Sequence, residues 1–127
     1  GEVIQATSSA GGALLITTND SDYGFEYAGS NDLAQSTGSQ ILAQNVGNDD
    51  DSSMSGYLHL FEPSSDTFVK HFLSNISYES KSGGGAVYQY NVYIAGYGNT
   101  ISAIDAIQFS MSSGNIDSGV IKLYGVS

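Results

Sequence analysis

The 127-residue sequence has no cysteine, no tryptophan, no arginine and a single proline. Without cysteine there is neither a disulfide framework nor thiolate chemistry, and the redox compartment is left open. Three cations, Lys70, Lys81 and Lys122, stand against thirteen carboxylates, giving a net charge of −10. Phosphate backbones are bound by clustered Lys and Arg, so nucleic acid is a poor partner, as is an anionic membrane surface. No run approaches the ~20 apolar residues of a helical span, and no membrane insertion is predicted. Long apolar stripes at helical spacing, with caps, are also missing.

What is present is β-type. Charged residues make up 13% of the chain, about half the usual ~25%, so the polar surface must come from neutral Ser, Thr, Asn, Gln and Gly. Short apolar or alternating runs are separated by Gly, Ser, Asn and Asp clusters. Strands are predicted at residues 3–7, 13–18, 23–27, 55–62, 67–78, 86–95, 102–112 and 120–126. Asn19-Asp20-Ser21-Asp22, Gly83-Gly84-Gly85 and Gly96-Tyr97-Gly98-Asn99 are read as turns. Residues 28–54 form a long polar surface excursion with one short strand near 40–44; loops of this length are often functional. The alternation puts Tyr57, His59 and Phe61 opposite Leu58 and Leu60. It puts Phe68, Lys70, Phe72, Ile76 and Tyr78 opposite Val69, His71 and Leu73. The spacing of strands and turns predicts one all-β domain over residues 1–127, an antiparallel β-sandwich of jelly-roll type with about eight strands. The last run is expected to be fixed inside a sheet, with the fold complete at its end.

Catalytic chemistry finds little support. His59 and His71 are the only histidines, both lie mid-strand, and no G-x-S-x-G nucleophile elbow is present. A zinc site would need more His or Cys at short spacing. Gly83-Gly84-Gly85 lacks the P-loop pattern. Asp105 shares a strand face with Ile107 and Phe109, and if buried it needs a structural hydrogen-bond partner. No enzyme activity and no cofactor are expected, calcium excepted. The oxygen-rich run Asn48-Asp49-Asp50-Asp51 offers Asp49, Asp50 and Asp51 as calcium ligands, against a solvated turn as the plainer reading. Nine tyrosines offer flat apolar faces with polar tips, suited to a core edge, an interface or sugar stacking. Tyr93 and Tyr97, beside the glycine-rich turn, are the candidate ligand contacts, with Asn99.

The closing stretch carries a resemblance. Asp105-Ala106-Ile107-Gln108-Phe109, Ser112-Ser113-Gly114-Asn115-Ile116 and Ser118-Gly119-Val120-Ile121-Lys122-Leu123-Tyr124-Gly125-Val126 resemble the end of a family of structural proteins from marine bacteriophages. Ser55-Gly56-Tyr57-Leu58-His59-Leu60-Phe61-Glu62-Pro63 resembles an upstream segment of the same family. The likeness covers roughly the C-terminal half. It implies a virion-surface or tail-fibre-like role without known chemistry: a homo-oligomer, a trimer in a fibre, binding a neighbouring subunit or a cell-surface glycan. The alternative is a stand-alone carbohydrate-binding module with a calcium-stabilised loop.

Overall fold

The computed structural model describes residues 14–18, 23–27, 29–33, 36–81, 85 and 87–126. The expected strand at 3–7, the Asn19–Asp22 turn and most of the Gly83–Gly85 turn lie outside them. Five strands form one antiparallel sheet: β1 (Leu14–Thr18), β2 (Tyr23–Tyr27), β3 (Met54–Leu60), β4 (Lys70–Lys81) and β5 (Val87–Gly98), in the order β2-β1-β5-β4-β3. The only helical piece among the described residues is a 3-10 turn at Gly29–Asn31. No helix there is long and apolar enough to cross a membrane.

Period-two patterning decides the two long strands. β4 alternates buried and open residues along its whole length, and it pairs with β5 from Lys70↔Gly98 to Lys81↔Val87. The buried side gathers Phe72, Ile76 and Tyr78 from β4 with Val92 and Ile94 from β5. β3 adds Leu58 and Leu60 to that face. Here the sequence periodicity and the sheet agree from Lys70 onward; Phe68, expected on the same face, lies before the strand and is 68% exposed.

The second layer differs from expectation. No second sheet faces the first among the described residues. Leu33, Leu42, Ala43 and Val46, all from the 28–54 excursion, pack on the buried face instead. Residues 40–44 are not a strand; the excursion touches the sheet's backbone through the isolated bridge Val46↔Ser80 and the hydrogen bond Gly47 N to Glu79 O. The run Ile41-Leu42-Ala43 is too short to pair with an occupied sheet, so it covers rather than extends it. The Gln44 N–H donates to the Tyr78 hydroxyl at 3.0 Å, and Tyr78 stacks on Tyr90 with ring centroids 5.4 Å apart.

Two further expectations are corrected. Residues 102–112 and 120–126 form no strands; after β5 the chain runs in irregular form, with an isolated bridge at Ala106, and most of it is exposed. Asp105 is exposed too, so it needs no buried partner. And Gly96 and Gly98 are not a turn but part of β5. Gly96 lies opposite Phe72, and a Cβ there would fall 2.5 Å from the Phe72 ring. Gly56 is tighter still: a Cβ would meet the Asn75 carbonyl oxygen and come within 2.8 Å of Ile76 Cα. Glycine at both positions marks close approach between strands.

Lys70 lies on the core face, as the alternation placed it, and is 1% exposed. Its ammonium donates to the carbonyls of Ser65 (2.5 Å), Phe68 (2.9 Å) and Thr100 (3.5 Å), which uses all three donors. A buried charge is tolerated only when bonded in this way, and these bonds pin the 61–69 loop to the exit of β5.

Gly96→Ala is expected to cost about 1–3 kcal/mol, because the buried Phe72 ring must shift. Gly56→Ala should cost more, because it opposes backbone; urea unfolding checks the order. Alkaline pH should weaken the fold. Burial pushes the Tyr78 phenol above its usual 10.0, with Tyr90 adding to the rise and the Gln44 N–H opposing it. The Asp49 carboxylate holds the Lys81 ammonium above its usual 10.5. In both cases the folded state keeps its proton longer, so stability present below about 10 falls as pH rises through the folded values. Tyr78→Phe should lose about 1 kcal/mol at neutral pH and flatten that alkaline fall.

Candidate functional site

The side of the sheet opposite the core is open and aromatic. Residues of one parity place Tyr57, His59 and Phe61 on it from β3 and its extension, His71, Leu73 and Asn75 from β4, and Asn91, Tyr93, Ala95 and Tyr97 from β5. The register carries the row across the strands: Tyr57 pairs with Asn75 and Asn75 with Tyr93, while His59 pairs with Leu73 and Leu73 with Ala95. Tyr57 is 55% exposed, Leu73 50%, Phe61 45% and Tyr93 44%. Large apolar groups at this exposure, side by side, form a patch rather than scattered residues.

The rings are mutually arranged. Tyr57 meets His59 edge-on at 5.1 Å, and His59 stacks beside Phe61 at 6.4 Å. At the far end His71 tilts against Tyr97 at 6.0 Å. Polar fixtures border them. Asn75 Nδ2 donates to Asn91 Oδ1 at 2.5 Å, and Gln89 Nε2 donates to Ser77 Oγ at 2.8 Å. The amide pair leaves Asn75 Oδ1 as an acceptor and the Asn91 amino group as a donor beyond this bond. A shallow depression runs between Tyr57, His59, Phe61, Leu73, Asn75 and Tyr93. None of these residues is a carboxylate or an ammonium, although the chain as a whole carries −10.

Of the residues singled out from sequence, Tyr93 and Tyr97 both lie on this face, though inside β5 rather than beside a turn. Asn99 follows the strand end and is exposed. Tyr57, His59, Phe61, His71 and Leu73 complete the patch; their alternation was visible, but only strand order makes them neighbours.

The acidic run behaves differently. Asp49 Oδ2 accepts from Lys81 Nζ at 2.5 Å, and the Asp49 carbonyl accepts from Ser52 N at 3.0 Å. Ser52 Oγ in turn donates to Glu79 Oε1 at 3.1 Å. These bonds strap the end of the excursion to β4. Among the described residues no three acidic or histidine groups converge on a common point fit for a metal. Asp50 and Asp51 are exposed beside that strap.

A patch held for binding rather than for folding should be replaceable. Tyr57→Ala and Tyr93→Ala, at half-exposed positions, are expected to change unfolding free energy by about 1 kcal/mol or less. Phe72→Ala, in the core, should cost about 3–5 kcal/mol; denaturant curves of the three variants give the contrast. Compared with known protein families, with curated proteins and with solved structures, the chain matches none of them.

Proposed function

We propose that the chain is a non-catalytic attachment module of a bacteriophage virion surface, tail-fibre-like in role, and that its open sheet face binds a neutral cell-surface glycan. The observation that carries this reading is the aromatic patch itself. Its rings offer flat apolar faces for the C–H faces of a sugar, and the tyrosine hydroxyls and the Asn75–Asn91 pair offer donors and acceptors for sugar hydroxyls. A site without carboxylate or ammonium favours an uncharged ligand. The resemblance of residues 105–126 and 55–63 to phage structural proteins supports the setting. A homo-oligomeric, trimeric assembly belongs to the same proposal. Weak contacts on each copy gain strength through copy number.

A glycan array probed with the whole chain tests it, with and without a chelator. Binding to neutral glycans is expected, unchanged by the chelator, because Asp49 is already engaged by Lys81. Tyr93→Ala should weaken it more than about fivefold, the loss of one aromatic hot spot. Loss of binding on chelation would favour the calcium-stabilised module instead, and silence across the array would remove the glycan.

A further inference from the structure

The segment after Gly119 and the outer edge of β3 have complementary needs. Residues 120–126 read Val-Ile-Lys-Leu-Tyr-Gly-Val, a β-branched and aromatic alternation that suits a strand. Yet Val120 is 79% exposed, Ile121 68%, Leu123 88%, Tyr124 75% and Val126 95%. Five apolar or aromatic residues out of seven are thus left open to solvent.

The acceptor is the sheet edge. β3 ends the strand order, and no described residue pairs with its far side. Ser53 O and Phe61 N both bond β4, so in the antiparallel ladder the odd positions point their N–H and C=O groups inward. The N–H and C=O groups of Met54, Gly56, Leu58 and Leu60 therefore point outward. Unpaired edges are ordinarily blunted by charge, proline or a bulge. Met54–Leu60 has no charged residue and no proline, and its seven residues equal the length of the 120–126 run.

We propose that residues 120–126 of one copy add as a strand to the β3 edge of a second copy. On one face of the added strand Ile121 and Leu123 continue the apolar layer of Leu58 and Leu60. On the other, Lys122 and Tyr124 continue the row of Tyr57 and His59. The connection permits it. The Ile104 N–H is bonded to the Pro63 carbonyl at 2.7 Å, and the fifteen residues between Ile104 and Val120 span up to ~50 Å when extended. Gly114 and Gly119 carry positive φ, at 76° and 151°, within a Ser-, Gly- and Asn-rich connection. Charge sets the conditions: copies at −10 repel, and Lys122 makes no ion pair among the described residues, so it places a cation on the donor strand. Strand addition is independent of the glycan reading, since it uses backbone edge groups rather than the open face.

The chain has no cysteine, which makes placement testable. Ser55→Cys and Tyr124→Cys are prepared as separate variants, mixed, and treated with a short bis-maleimide. Sedimentation equilibrium on the unmodified chain runs alongside, at low and at molar salt. An oligomer that tightens with salt is expected, with a cross-link joining the two variants. Ile121→Asp with Leu123→Asp should leave the monomer, its β-type circular dichroism intact because both positions are exposed. A monomer at every concentration would overturn the proposal. So would an oligomer that survives the double substitution, or a chain carrying both cysteines that links only within itself.

Discussion

The pairing of β4 with β5 is the constraint on which the rest depends. Twelve consecutive residue pairs hold one register, and a slip of one residue would turn every side chain to the opposite face. In the native register Phe72, Ile76, Tyr78, Val92 and Ile94 point into one layer, while Leu73, Asn75, Tyr93 and Tyr97 point out of the other. The core and the aromatic patch are thus two consequences of a single alignment. Glycine secures it where strands crowd: Gly96 lets the Phe72 ring lie over β5, and Gly56 lets β3 approach the backbone of Ile76.

The excursion of residues 28–54 stands where a second sheet would be. It contributes few apolar groups, Leu33, Leu42, Ala43 and Val46, and is fastened mainly by polar links: Gln44 to Tyr78, Gly47 to Glu79, Ser52 to Glu79 and Asp49 to Lys81. Two of these links are neutral hydrogen bonds, each worth only about 1 kcal/mol net, and the Asp49–Lys81 pair is an exposed ion pair worth no more. The lid over the core is therefore held with a small margin, and the buried Ser74 Oγ, which has no partner among the described residues, lies on the same face.

Much of this was legible in the residues. The alternation read over 67–78 and 86–95 is strong and correctly separates His71 and Leu73 from Phe72 and Ile76, although the strands themselves run later, at 70–81 and 87–98. The glycines misled for a physical reason. Gly96 and Gly98 look like turn chemistry, but a glycine opposite an aromatic ring serves proximity as well as it serves a bend, and only the partner strand tells which. Residues 102–112 and 120–126 misled differently. Their alternation is as clear as that of β4, but a strand is defined by a partner, and local sequence does not name one. For the same reason the patch was only half visible: Tyr93 and Tyr97 could be picked out, whereas His59 and Leu73 became their neighbours through strand order.

The distribution of the lysines has a practical consequence. Lys70 is enclosed by three carbonyls and Lys81 is clamped by Asp49, which leaves Lys122, on an exposed stretch, as the most accessible lysine amine. Reagents that acylate amines will favour it over the other two. A dye, a biotin or a sensor surface attached by that route will sit on the segment bearing Ile121, Leu123 and Tyr124, so a chain labelled in this way carries its tag in the middle of an exposed apolar run.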